Sequence, residues 1–292
     1  MMDLSDPAVI RRLLKKRGVE LTKSLGQNFI TDPDVCPRIA DSAGLSPSSG
    51  VIEIGAGAGV LTVELSKRAG KVVSFEVDGR LLPVLAETLD GCENVALLNS
   101  DFMKTDVNAL VGETLAGCEE VCFCANLPYY ITSPVIMKIL ESGAPFTRCV
   151  FMVQKEAAQR LTAQVGSRLS GAITAAVAYR TQSEYLFDVP KTSFTPPPKV
   201  DSAVIRLTRR SEPPVKPADE AYFFRVIRAA FGMRRKTALN SLSAGLGLPK
   251  EDIADALAKL SMRPDVRAET FTLGQFSDLS DILFEKSKDT DR

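Results

Sequence analysis

Five short runs rich in β-branched and apolar residues, at 51–54, 72–76, 95–99, 121–124 and 149–153, set the strongest constraint on this chain. Helical patterns at 61–67 and 80–89 separate the first three runs, and another at 134–141 precedes the fifth. Strands alternating with helices require crossover connections, which build a parallel sheet covered by helices on both faces. After a further helical pattern at 155–164 the alternation stops. Residues 172–179, 184–189 and 202–207 read as strands without long helices between them, so an antiparallel sheet edge is expected. Pro213, Pro214 and Pro217 then mark a linker over 211–219, because they continue neither a helix nor a central strand. Amphipathic patterns at 220–231, 237–243, 250–260 and 273–284 predict a small all-helical domain. The expected organisation is an α/β domain over 1–210, the linker, and a helical domain over 220–292.

With 45% apolar residues in 292, such a chain can bury a sizeable core, and it contains no histidine at all. Imidazole bases, Ser-His-Asp hydrolysis and His-containing zinc sites are thereby excluded. Any chemistry must run on carboxylates, amides, hydroxyls, backbone groups or a cofactor. Cys36, Cys92, Cys118, Cys122, Cys124 and Cys149 form no Cys-x-x-Cys pair and read as reduced thiols, so no metal is expected. The first 20 residues carry too much charge for a signal peptide, and no run reaches the roughly 18 apolar residues of a membrane span. A soluble, cytoplasmic protein is expected.

The net charge is zero, yet it is segregated: +1 over 1–50, −7 over 51–130, +6 over 131–210 and 0 over 211–292. Six basic residues lie between Arg11 and Lys23 with only Glu20 opposing them, and Arg234, Arg235 and Lys236 stand together. Such clusters are solvated faces or the footprint of a polyanion.

Gly55, Gly57 and Gly59 follow the first strand and open the next helix, where a glycine turn lets a ligand approach the backbone. Glu76 closes the second strand, placed to accept hydrogen bonds from both hydroxyls of a ribose, and Asp101 follows the third, placed to accept from an adenine amine. Together they point to an adenosine-containing cofactor. The Gly-x-Gly-x-Gly spacing departs from the dinucleotide pattern, and Glu53 before the turn suits a ligand carrying an ammonium and a sulfonium. S-adenosylmethionine is the favoured cofactor, and a nicotinamide dinucleotide is the competing reading of the loop alone.

Asn126-Leu-Pro-Tyr-Tyr130 follows the fourth strand. An exocyclic amine on a flat base is a poor nucleophile because its lone pair is delocalised into the ring. If the Asn126 side-chain oxygen and the Leu127 carbonyl accept its two hydrogens, the nitrogen pyramidalises and the lone pair turns toward a sulfonium methyl. Pro128 fixes the turn, and Tyr129 offers a face for an extracted base, worth roughly 1 to 3 kcal/mol in stacking. No imidazole is needed, because the proton becomes acidic as the N–C bond forms.

These segments, with Lys23-Ser-Leu-Gly-Gln-Asn-Phe-Ile30, Gln154-Lys-Glu156, Phe194-Thr-Pro-Pro-Pro-Lys199 and Arg234-Arg-Lys-Thr237, resemble the ribosomal RNA adenine dimethylase family, in its bacterial small-subunit type. The match runs through nearly the whole chain in the family's order. The resemblance implies a Rossmann-like class I S-adenosylmethionine-dependent methyltransferase fold. It implies dimethylation of N6 on two adjacent adenines in the 3′-terminal hairpin loop of 16S rRNA, within the immature 30S subunit, by a monomer. Carried over by position, Asn28 and Ile30 touch the cofactor, Gly55 lies under its methionine part with Gly57 also binding the cofactor, Glu76 holds the ribose, Asp101 the adenine, and Asn126 stands between cofactor and target.

The prolines after Phe194 hold an extended arm. That arm presents Phe194 as a second face around the flipped base, or else Phe194 caps the core at a strand entrance. Arg11, Arg12, Lys15, Lys16, Lys23, Lys199, Arg234, Arg235 and Lys236 are expected to meet phosphates. Two alternatives stay open: a resistance-type dimethylase of 23S rRNA, and an assembly checkpoint factor whose catalysis is secondary.

Overall fold

The computed structural model describes Leu4 and residues 6–19, 28–233 and 235–290, without the side chains of the last three. Lys23 and Arg234 lie outside the described residues.

The chain opens with α1 (Pro7–Lys16), capped by the Asp6 carboxylate, which accepts from the Ala8 amide at 2.8 Å. Ile10, Leu13 and Leu14 recur on one side and are buried against Leu81 and Leu85, so Arg11, Arg12 and Lys15 face solvent. This segment, read from sequence only as a basic cluster, is an amphipathic helix. Next come β1 (Phe29–Ile30), α2 (Val35–Ser42), β2 (Ser49–Ile54), α3 (Val60–Ser66), β3 (Lys71–Phe75) and α4 (Leu82–Thr88). They are followed by β4 (Val95–Leu98), α5 (Val107–Thr114), β5 (Glu120–Asn126), α6 (Thr132–Glu141), β6 (Arg148–Gln154) and α7 (Lys155–Leu161).

Strands β2 to β6 match the five predicted runs and pair in parallel, in the order β4-β3-β2-β5-β6. Central β2 is buried along its whole length, as a strand covered on both faces must be. The predicted antiparallel edge is present: β9 (Ser202–Arg209) runs antiparallel to β6, with Gln154 opposite Ser202 and Arg148 opposite Thr208, and β7 (Thr181–Val189) lies beyond it. A separate ribbon pairs β1 with β8 (Phe194–Thr195), setting Phe29 against Thr195 and Ile30 against Phe194.

One predicted strand is a helix. Residues 172–179 form α8 (Ala172–Arg180), started where the Thr174 hydroxyl accepts from the Gly171 amide at 3.0 Å and donates to the Arg160 carbonyl at 2.9 Å. Its residues are buried almost all round, so no periodicity marks a solvent face, and the alanines favour the helix.

The chain forms two compact units, Met1–Ala158 with Ser183–Arg209, and Gln159–Gln182 with Arg210–Arg292. The sequence boundary at 210 therefore misses an excursion, because α8 belongs with the C-terminal helices α9 (Glu220–Phe231), α10 (Ala238–Leu246), α11 (Lys250–Lys259) and α12 (Leu273–Thr290). Tyr179 of α8 stacks within 5.3 Å of Phe223 and Phe224, and Arg180 lies 4.0 Å over the Phe224 ring while pairing with Glu220 at 3.1 Å. Among the described residues no helix is long and apolar enough to cross a membrane. Cys36, Cys122, Cys124 and Cys149 are free and buried, and burial raises each thiol, Cys122 to about 11.

Candidate active site

The carboxyl ends of β2, β3, β4 and β5 surround a cleft that opens to solvent. The turn leaving β2 forms one wall. Gly55, Gly57 and Gly59 have φ of 86°, 58° and 85°, values that favour glycine. A Cβ on Gly55 would meet nothing within 4 Å because this residue faces the open cleft, whereas one on Gly59 would lie 2.8 Å from the Thr88 hydroxyl. The turn is pinned to β3, since the Gly55 and Ala56 amides both donate to the Phe75 carbonyl at 2.9 and 2.8 Å.

Glu76 locks the same wall. Its Oε2 accepts from the Gly57 amide and its Oε1 from the Asp78 amide, each at 2.8 Å. Burial raises the Glu76 carboxyl, while these amide donors and that of Val77 pull it back. Asp101, across the floor, accepts from the Met103 amide at 2.9 Å through Oδ1. Apolar Val77, Phe102, Met103, Ile131 and Val135 complete the lining. A buried carboxylate with lone pairs left over, a second carboxylate and an apolar slot between them suit an adenosine, the ribose at Glu76 and the base near Asp101.

The opposite wall begins where β5 ends. The Asn126 amide nitrogen donates to the Asn28 carbonyl at 3.3 Å, which fixes the amide because only its N–H face can meet a carbonyl. Its oxygen is thereby left to the cleft, which Asn126 lines together with Asn28 and Pro128. The Leu127 amide donates to the Met152 carbonyl at 3.0 Å, and neither the Leu127 carbonyl nor the Asn126 oxygen accepts a hydrogen bond among the described residues. Tyr129 stands next to the lining residues Pro128 and Tyr130 without itself lining the cleft, its hydroxyl 3.0 Å from that of Ser202 at the start of β9.

The sequence profile of the family named Ribosomal RNA adenine dimethylase matches residues 18–284. The chain belongs to this family. Ribosomal RNA small subunit methyltransferase A of Geobacillus thermodenitrificans (strain NG80-2) is 46% identical over 284 residues, covering 96% of this chain and 97% of that protein. The protein of the same name from Lysinibacillus sphaericus (strain C3-41) is 45% identical over 285 residues, covering 97% of each. Among solved structures, a dimethyladenosine transferase from Plasmodium falciparum superposes with a TM-score of 0.71 at 27% identity, covering 90% of this chain and 98% of that one. The 23S rRNA methyltransferase ErmE gives 0.67 at 29% identity, covering 88% and 100%.

Within this family fold, the cleft collects Asn28, Gly55, Gly57, Glu76, Asp101, Asn126 and Pro128 of the residues singled out from sequence. Leu127 and Tyr129 adjoin it without lining it, and Glu53, Ile30 and Phe194 lie elsewhere. Glu53 is fully buried beneath the turn, because strand alternation directs it to the face opposite the cleft-lining Ile54. There its Oε2 accepts from the Thr62 hydroxyl at 2.6 Å and the Ser74 hydroxyl at 2.5 Å, while Oε1 has no partner. Burial outweighs those two hydrogen bonds and, with the nearby Glu76 charge, lifts the Glu53 carboxyl to about 7. It is thus a support of the turn and not a wall of the cleft.

Ile30 and Phe194 face each other across the β1–β8 ribbon and are buried at 5% and 3% exposure, among Val35 and Ile39 of α2. Of the two readings for Phe194, the structure takes the core cap, since a ring sunk in an apolar cluster offers no free face to a base.

Sequence reasoning gave no role to Tyr130, which lines the cleft mouth and is 62% exposed, or to Val77, at 56%. Large exposed apolar groups at a mouth mark ligand contact, and only adjacency to Asn126 and Glu76 could have flagged them.

Of the basic residues, Arg11, Arg12, Lys15, Lys199, Arg235 and Lys236 are exposed. Lys16 is paired, with its neighbour Arg17, to Glu87 of α4, each at 3.0 Å.

Proposed function

We propose that this chain dimethylates N6 of two adjacent adenines in the 3′-terminal hairpin loop of 16S rRNA, acting as a cytoplasmic monomer on the immature 30S subunit. The observation that carries the chemistry is the pair of unengaged acceptors at the end of β5, the Asn126 oxygen and the Leu127 carbonyl, beside a cleft shaped for an adenosine. S-adenosylmethionine, when bound, supplies an electrophilic methyl group on a sulfonium. Gly55 and Gly57 would lie under its methionine part, Glu76 would accept from its ribose hydroxyls, and Asp101 from its adenine amine.

The chain's own work lies at the target amine. An adenine lifted from its stack presents two N6 hydrogens, and the two acceptors draw both, so the nitrogen pyramidalises and its lone pair withdraws from the ring π system and points into the cleft. Asn28 keeps the Asn126 oxygen in place by holding the other end of the amide. Tyr129 supports the base by stacking, worth about 1 to 3 kcal/mol. The proton leaves to water once the amine carries its new bond. After one transfer the remaining hydrogen can still bond one acceptor, so the second methylation uses the same wall.

The exposed cations of α1, with Lys199, Arg235 and Lys236, meet phosphates and position the RNA without reading its sequence. The small-subunit assignment is supported by relatives at 45–46% identity along almost the whole chain. Incubation with labelled S-adenosylmethionine and ribosomal subunits lacking the modification tests it. Label in two adjacent adenines near the 3′ end of small-subunit RNA is expected. Label only in large-subunit RNA would instead place the chain with the resistance-type enzymes.

A further inference from the structure

Tyr129 stands in a short 3-10 turn, Tyr129–Ile131, in which the Ile131 amide donates to the Pro128 carbonyl at 3.1 Å. That tie fixes the backbone and leaves the ring free to rotate about two side-chain bonds. The far end of the ring is held by something else. Its hydroxyl lies 3.0 Å from that of Ser202, which is fully buried at the first position of β9.

Ser202 is itself firmly placed. It sits opposite Gln154 in the β6–β9 ladder. The preceding Asp201 is held twice, its carbonyl accepting from the Lys155 amide at 3.1 Å and its Oδ1 from the Lys191 amide at 2.9 Å. A buried hydroxyl left without a partner is costly, so the Ser202–Tyr129 bond is maintained by Ser202 as well as by the phenol. A ring anchored at both its Cβ and its hydroxyl has its long axis fixed, which settles where the ring lies.

We propose that Ser202 is a positioning residue for methyl transfer, its hydroxyl holding in place the Tyr129 ring on which the target adenine stacks. This rests on the reading of Tyr129 as the base platform. A misaligned platform tilts the amine away from the Asn126 and Leu127 acceptors, so turnover falls while the cofactor cleft, which neither residue lines, is untouched.

The test compares Ser202→Ala, Tyr129→Phe, the double variant and Tyr129→Ala. Turnover is measured on small subunits lacking the modification, and cofactor affinity by equilibrium dialysis of labelled S-adenosylmethionine. Ser202→Ala and Tyr129→Phe should each lower kcat about tenfold, equivalent to about 1.4 kcal/mol in the barrier. The double variant should be no worse than either single one, and cofactor Kd should stay within about twofold, since the deleted bond lies outside the cleft. Normal turnover in Ser202→Ala and Tyr129→Phe, beside a loss in Tyr129→Ala, would overturn the role of Ser202 and leave the platform intact. Normal turnover in Tyr129→Ala would instead refute the platform. Additive losses in the double variant, or a matching loss of cofactor affinity, also overturn the proposal. Should Ser202→Ala fail to fold, Tyr129→Phe deletes the same bond and leaves the buried serine in place.

Discussion

The two walls of the cleft are built in opposite ways. The wall at Gly55, Gly57 and Glu76 comes from 22 consecutive residues on adjacent parallel strands and is held by backbone amides, four of them within 2.9 Å of their acceptors. The wall at Asn126, with Tyr129 beside it, joins three distant stretches, around residues 28, 126 and 202, through two side-chain hydrogen bonds of 3.3 and 3.0 Å. A backbone lattice tolerates loss of one contact, whereas a wall hung on single side chains does not. Cofactor binding and turnover should therefore fail separately.

Asn126→Ala gives the largest expected effect. It removes one acceptor and the tie to Asn28, so turnover on small subunits should fall at least about a hundredfold while dialysis shows cofactor affinity unchanged, a loss confined to the transition state. Comparable activity to the wild type would erase the distinction between the walls. Glu76→Gln makes the converse cut. The charge and one acceptor are lost at a partly buried site, so cofactor Kd should rise about tenfold. At saturating cofactor kcat should change little, and a large kcat loss would show that this wall also shapes the transition state.

Glu53 probes what lies beneath the backbone lattice. Its carboxyl titrates near 7 in the fold against an ordinary 4.5. The folded chain therefore keeps a proton that the unfolded chain has released, and between those values stability falls as pH rises, by up to about 1.4 kcal/mol per pH unit. Below pH 4.5 this contribution is fully present, and above 7 it is gone. Glu53→Gln should flatten that slope in urea titrations and be more stable than the wild type at pH 8 by about 2 kcal/mol. An unchanged slope would mean that the orphaned Oε1 is hydrated.

The smallest effect belongs to α1. Lys15→Ala should weaken subunit binding about threefold at low salt. Lys16→Ala, whose charge Glu87 already offsets, should change it less than about twofold. Equal losses would mean that the Glu87 pairs open on RNA.

The same contrast explains what the sequence made legible. Gly55, Glu76 and Asp101 could be placed because each follows a run whose strand character is local, and the ends of parallel strands share one rim. Asn126 and Leu127 were singled out on chemistry, as acceptors that an amine would need, and among the described residues neither oxygen accepts a hydrogen bond. The misreadings are all non-local. Glu53 was judged on charge, while the alternation of β2 decided its face. Phe194 and Ile30 were judged on position, while a two-residue pairing across 164 residues buried both. The α8 strand assignment failed because neighbours from elsewhere cover nearly every side of that helix.

That two-residue ribbon also bears on how the enzyme comes into being. During synthesis from the N-terminus, all five parallel strands have been made once Gln154 is added, yet Phe29 gains its partner only after Thr195, and Tyr129 only after Ser202. A nascent chain can thus assemble the wall at Gly55 and Glu76 well before Tyr129 gains its hydrogen bond to Ser202. The Asn126 side of the cleft is completed later, with the arm that pairs with Phe29 and Ile30.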